Sequence, residues 1–550
     1  MIKAAETRFI TATRRILRAA ALTGLLFVPH SAFAEKGDRY SSRDEVSTLV
    51  NKILTSDQRM AMPIQVVREA LSEHYVKNNG RLFWVGSPRM DQLVERLRNA
   101  ADDGLFTRDY PIEYLVTLQD SLKAGDPFTE AYAELAFSAF FLRYASDLKI
   151  GRFVPRRIDP KLYVSQKKLD HVEVLNKLKL YDDLPEFFKS WEPQSAEYRS
   201  LRTALNKYRA IVARGGWGEV EIGETLKPGM RGERVGQMRA RLIASGEMTQ
   251  IPDDPEFYDE GLEIAVRSFQ RRHGLDADGV VGKQTMFALN VSAEERMRQI
   301  IVNMERWRWM PEDLGDKHIL VNIAAFQLRR MEYGAMVEQI RVVVGKPAHA
   351  TPVFSHKIQY VEINPTWTVP YSIATKELLP KLKENPYALG PTYELLQKGQ
   401  PISFGSVDWS QMSRRNFPYT IRQKPGPKNA LGRVKFIFPN KHNIYLHDTP
   451  SRSLFARSTR AFSHGCIRVG RPLDLAAQLL AAAPGKWSRK KIDTVVASEK
   501  RTRVNLTEPL AVHLTYSTAF RGPGGGVNFR SDIYGRDKKL YRALFAKPTS

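Results

Sequence analysis

A chain of 550 residues exceeds what one ordinary core organises, so roughly two to four domains are expected. Hydrophobic residues at 43% and charged residues at 26% exclude a disordered chain, and beyond residue 34 no apolar run reaches the ~18 residues of a membrane span. A net charge of +24 points to an anionic partner, and the single cysteine, Cys466, excludes an internal disulfide.

Residues 1–34 read as a secretory signal. Arg8, Arg14, Arg15 and Arg18 make a basic start, Ala19 to Val28 an apolar stretch too short for a bilayer, and Ala32-Phe33-Ala34 a small-x-small cleavage pattern. The segment carries five basic residues and one acidic one, so cleavage after Ala34 leaves +20 of the +24. Export, and the lack of a nucleic-acid-binding motif, directs that charge toward a wall or membrane surface rather than nucleic acid. In an exported chain a lone thiol is an intermolecular link, an inert buried group or a reactive nucleophile.

From residue 35 to 218 the pattern is mostly helical. Leu93, Val94 and Leu97 mark one face of a short helix, and Ala131 to Leu148 a longer one carrying Phe137, Phe140, Phe141 and Tyr144. That aromatic stripe reads as core, and the region as a scaffold. Gly215-Gly216-Trp217-Gly218 marks a linker. The unit at 219–291 holds amphipathic helices at Val235–Ile243 and Gly261–His273, a turn-rich loop at Asp276–Gly282 and a short helix at Lys283–Leu289. Through Gly229-Met230-Arg231-Gly232, Phe269-Gln270 with His273-Gly274-Leu275, and Asp278-Gly279-Val280-Val281-Gly282, it resembles the three-helix peptidoglycan-binding module. The resemblance implies contact with glycan strands or stem peptides.

The remaining segment, 292–545, turns to strand texture. Ile319–Phe326, Gln339–Gly345, Ile358–Ile363, Phe436–Phe438, Asn443–His447 and Leu510–Tyr516 are predicted strands, and Leu473–Ala483 a helix opened by Pro472. Within it, 372–422 reads as an insertion capping the site, with helices expected at Ile373–Tyr387 and Thr392–Gln397. The fold class expected is multidomain α+β: a helical N-terminal scaffold, the three-helix module and a mixed β-rich domain with a cap.

The chemistry concentrates in His447-Asp448-Thr449-Pro450 and Ser463-His464-Gly465-Cys466-Ile467-Arg468. The only thiol directly follows His-Gly, and a second histidine stands 19 residues upstream. Thiolate is the nucleophile of cysteine chemistry and a nearby imidazole can take its proton. Gly465 permits close backbone approach, so N–H groups of Gly465 and Cys466 are candidates to face an oxyanion. The alternative for these residues is a buried thiol beside two structural histidines.

The segment resembles the L,D-transpeptidase motif, a histidine, a spacer of 14–17 residues and Ser/Thr-His-Gly-Cys; the spacer here, Asp448 to Phe462, has 15. Asn364-Pro365-Thr366-Trp367, Pro425-Gly426-Pro427 with Asn429, and Phe438-Pro439-Asn440 extend the likeness. It implies Cys466 as nucleophile, His447 as general base, the backbone carbonyl of Asp448 as orienting group, and His464, Gly465 and Ser463 lining the site. Arg468, standing where many members have Asn, is implied as a partner for a stem-peptide carboxylate; Trp367 and Tyr445 are groove or core aromatics. Two-step acyl transfer through a thioester, giving 3-3 cross-links without metal or other cofactor, follows from the resemblance, as does acylation of the thiol by carbapenems. Water or a protein amine are alternative acceptors. A papain-like peptidase would place its cysteine before its histidine, a zinc peptidase would need His-Glu-x-x-His, and a wall-binding scaffold would leave the thiol idle.

Overall fold

The computed structural model describes residues 42–546 apart from 58–59, 79–80 and 166, so the expected signal at 1–34 lies outside the described residues. The described residues form two compact units: those from 42 to 160 with 164–312 and 518–546 make one, and 161–163 with 313–517 the other.

The first unit is helical. Pro127–Ile150 is its central helix, started by Pro127 and by Asp126, whose carboxylate accepts from Thr129 N at 2.8 Å. Apolar residues surround this helix on every side, and 17 of its 24 residues are buried, as befits a core helix. Phe137, Phe141 and Tyr144 are fully buried, so the aromatic stripe is core. Helices Glu233–Ser245, Glu260–His273 and Lys283–Leu289 lie where the sequence predicts them and enclose Val235, Met238, Leu242, Leu262, Val266, Phe269 and Leu289. Gly246 and Gly274 end the first two in the left-handed conformation. Helix Ala293–Trp309 and the hairpin Ala519–Arg521/Val527–Phe529 also pack in this unit. The packing therefore draws the boundary of the β-rich domain at 313 and 517, inside the expected 292 and 545, because Ile300, Met304 and Trp307 bury themselves in the helical unit.

The second unit contains β1 (Lys317–Asn322), β2 (Gln327–Glu332), β3 (Ala335–Gly345), β4 (Phe354–Ile363), β5 (Trp367–Thr368), β6 (Tyr393–Gln397), β7 (Gln400–Ile402), β8 (Tyr419–Gln423), β9 (Val434–Ile437), β10 (Leu446–His447), β11 (Ala461–Ser463), β12 (Ile467–Val469) and β13 (Thr502–Thr515). Nine strands form one sheet in the order β11-β3-β12-β10-β9-β4-β13-β1-β2, and β3 also pairs β2, so the sheet closes on itself. Alternating Ile, Val and Leu residues of β1, β3, β4 and β13 fill its interior. The cap has its own four-stranded sheet, β5-β8-β6-β7, and its own core of Ile373, Leu378, Leu382, Leu395, Trp409, Phe417 and Ile421.

Two local expectations are corrected. Thr392–Gln397, predicted helical from its Glu-Leu-Leu-Gln composition, is strand β6, because pairing with β8 outweighs local preference. Of Asn443–His447 only Leu446–His447 is strand, since Asn443 turns at φ +53°.

Candidate active site

Register brings the motif together. β10 and β12 run parallel, with Leu446 beside Ile467 and His447 beside Arg468, and Ile467 N donates to Tyr445 O at 3.1 Å. Leu446 and Ile467 are fully buried on one face. By alternation Tyr445, His447, Cys466 and Arg468 share the opposite face, with Cys466 next to Tyr445 and diagonal to His447. Antiparallel β9 adds Lys435 opposite His447.

His447 is buried, and its Nδ1 donates to Asp448 O at 2.5 Å, which leaves Nε2 as the unprotonated nitrogen of the neutral ring. Burial lowers its pKa to about 3, aided by the charges of Arg468 and Lys435 and opposed by the carbonyls of Asp448 and Leu431. The Asp448 carboxylate is occupied elsewhere, accepting from Arg433 N and Arg452 Nη1 at 2.9 Å each. Its carbonyl, not its charge, therefore faces the ring.

Cys466 is partly exposed. Packing desolvates its sulfur and pushes the thiol up, while hydrogen bonds from the Tyr445 backbone and hydroxyl and the charges of Lys435 and Arg468 pull it down. Its Sγ also meets Asn443 O at 3.5 Å. The thiol thus rests protonated beside a neutral imidazole.

The turn before the thiol is pinned. Ser463 Oγ donates to Cys466 O at 2.6 Å and accepts from Gly465 N at 3.1 Å. Thr351 Oγ1 donates to Gly465 O at 2.8 Å and accepts from Gly345 N at 2.9 Å. Gly465 has φ +122°, and a side chain on Gly345 would collide with the His349 carbonyl, so both positions require glycine. Because Gly465 N is spent on Ser463, the backbone donor left open beside the sulfur is Cys466 N–H, which has no partner among the described residues. Of the two N–H groups expected to face an oxyanion, only this one is free to do so.

His464 points to the cap: its Nε2 lies 2.7 Å from Glu377 Oε1, and its ring centroid is 5.0 Å from that of His349. Tyr445 belongs to the site, with its ring 5.6 Å from His447 and under Lys435 Nζ at 3.9 Å. Trp367, on β5, is half-buried against the cap core. Lys435, Asn443 and Thr351 carry no site signal in the sequence beyond a lysine inside the apolar run of β9, and Glu377 none as a site residue. Among the described residues no cluster of His, Cys, Asp and Glu can hold a metal, and no helix is long and apolar enough to cross a membrane.

A cysteine and a carbonyl-oriented histidine thus share one sheet face, and the cap reaches the same turn through Glu377 and His464. Family comparison makes the class specific. Residues 316–504 match the L,D-transpeptidase catalytic domain, residues 69–205 the scaffold domain, and residues 231–289 the "putative peptidoglycan binding domain". The match to the L,D-transpeptidase catalytic domain is confined to residues 316–504.

Among curated relatives, a "putative L,D-transpeptidase" of Haemophilus influenzae is 38% identical over 245 residues, covering 44% of this chain and 49% of the relative. The match thus spans about half of that protein's length. The N-acetylmuramoyl-L-alanine amidase CwlM of Mycobacterium tuberculosis is 38% identical over 77 residues, 12% of this chain and 19% of that protein. An L,D-transpeptidase crystal structure from Xylanimonas cellulosilytica covers 54% of this chain and 100% of its own at 15% identity and a TM-score of 0.18, too loose a likeness to bear on the fold.

Proposed function

We propose that this protein is an exported, periplasmic, wall-associated L,D-transpeptidase that acts through a Cys466 thioester. Cys466 Sγ attacks the carbonyl carbon of the amide between the third residue of a tetrapeptide stem and its terminal D-Ala. His447 takes the thiol proton and passes it to the leaving nitrogen; the C–N bond breaks, D-Ala departs and the S–C bond remains. Cys466 N–H donates to the tetrahedral oxyanion. The amine of a neighbouring stem then attacks the thioester, the C–S bond breaks, and the proton returns through His447 to sulfur. The module at 231–289 holds the wall substrate.

The observation that carries this reading is the shared sheet face of Tyr445, His447, Cys466 and Arg468, with His447 Nδ1 tied to the Asp448 carbonyl. A resting thiol–imidazole pair, both uncharged, fits a proton moved during attack rather than before it. Purified protein incubated with tetrapeptide muropeptides is expected to yield free D-Ala and 3-3 dimers by mass. Tripeptides alone would overturn the cross-linking step and favour water as acceptor. Unchanged tetrapeptides would overturn the reading altogether.

A further inference from the structure

Two cations flank the thiol, and among the described residues neither makes an ion pair. Lys435 stands opposite His447 on β9, half-buried, its ammonium over the Tyr445 ring. Arg468 stands opposite His447 on β12, half-buried, and its Nε is sealed from solvent without a hydrogen-bond partner. Both lie close enough to act on the charge state of Cys466. Glu362, opposite Lys435 on β4, acts on it through its charge, but its carboxylate is bonded by Arg501 Nη2 at 2.8 Å. Asp448 faces away and is held by Arg433 and Arg452.

Half-burying two like charges without a counter-ion is unfavourable, and burial duly lowers the pKa of Lys435. Such an arrangement persists where a ligand completes it. Sulfur is not that counter-ion, because the thiol rests protonated. The cations sit on strands to either side of β10, so an anion held by both would lie over His447 and beside the sulfur.

We infer that Lys435 and Arg468 together form a cradle for a carboxylate of the acyl donor, with Lys435 as a specificity-determining residue. This deepens the transpeptidase reading and rests on it for the identity of the donor. A tetrapeptide stem offers two carboxylates near the scissile bond, one on the diamino acid side chain and one on the terminal D-Ala. The shared chemistry is an anion within reach of the attacked carbonyl.

The test uses the full chain and begins without any peptide. Alkylation of Cys466 by anionic iodoacetate and by neutral iodoacetamide is timed by intact mass at one pH. Both reagents need the thiolate, so any change in thiol pKa cancels in the ratio of the two rates. In Lys435→Gln the iodoacetate-to-iodoacetamide ratio is expected to fall on the order of tenfold, and further in Lys435→Gln/Arg468→Gln. An unchanged ratio would overturn the cradle whatever the enzyme's substrate. Second, D-Ala release is compared for tetrapeptides with the side-chain carboxylate free or amidated, and for donors ending in D-Ala or D-alaninamide. The carboxylate whose masking raises KM in the wild type, but not in Lys435→Gln, is the one bound. Discrimination that is unaltered in Lys435→Gln would sink the donor-carboxylate assignment. A shifted alkylation ratio with no acylation by any donor would instead overturn the transpeptidase reading and keep the anion cradle.

Discussion

Two buried polar clusters, one in the scaffold and one on the catalytic face, show opposite ways of keeping charge inside a protein. In the scaffold, Glu134 is fully buried and saturated. It accepts from Phe83 N at 2.6 Å, from Trp84 N and Val85 N at 3.0 Å each, and from Tyr75 Oη at 2.7 Å, while Ser138 takes Trp84 Nε1 at 2.8 Å. Burial still raises its pKa, but every lone pair has work within the fold. On the Cys466 face, among the described residues, Cys466 N–H is open, Arg468 Nε is unpartnered and Lys435 lies over an aromatic ring without an ion pair. A closed cluster fixes one structure; an open one keeps its capacity for something that arrives. Glu134 therefore reads as a stability residue, and on the proposed function the Cys466 face is the reactive one.

The widest separation between the two regions is expected from Cys466→Ala. Loss of the only thiol removes D-Ala release to background, with binding to purified wall sacculi and the circular dichroism spectrum unchanged; turnover persisting in this variant would break the comparison. His447→Gln follows, lowering kcat by roughly 10²- to 10⁴-fold, the usual worth of a general base, at an unfolding midpoint near the wild type. The mirror experiment is Glu134→Ala, which strips a partner from three buried N–H groups. It is expected to cost about 3 kcal/mol or more in the first denaturant transition while kcat/KM per folded molecule stays within about twofold. A large kcat effect without destabilisation would show that Glu134 is not a structural anchor.

pH sharpens the contrast next. The thiol is pushed up and His447 stays neutral down to about 3, so iodoacetamide should alkylate the free enzyme slowly at neutral pH, with the rate climbing only on the alkaline side. A step near 6.5 would mean that His447 titrates normally and that the pair rests as an ion pair. The smallest effect is assigned to the cap. Glu377→Gln removes a half-exposed contact to His464, worth at most about 1 kcal/mol, so KM is expected to move by less than about fivefold. A tenfold or greater change would make the cap contact part of substrate binding.

Much of this was readable in the sequence, for identifiable reasons. Cys466 stood out because it is the only cysteine, and the Ser463–Cys466 run with His447 upstream carried the motif within 20 residues. The three helices within 231–289 and most of the sheet strands follow local periodicity, which neighbouring residues alone reveal. What escaped depends on pairing across sequence distance. Lys435 reaches the site only through its register with His447, Thr351 only through its bond to Gly465, and Glu377 only because the cap brings it to His464. β6 was misread for the same reason, since its partner β8 lies more than 20 residues on. The Asp448 carbonyl meets His447 Nδ1, while its carboxylate, which the motif does not speak for, bonds Arg433 N.

The most direct measurement is intact-mass analysis of the full chain mixed with a tetrapeptide donor and quenched in acid. D-Ala is expected to be released and the protein to gain the mass of the remaining acyl group, mapped by digestion to Cys466 and removed by an amine acceptor. D-Ala release with no adduct on Cys466, or an adduct on any other residue, would contradict it.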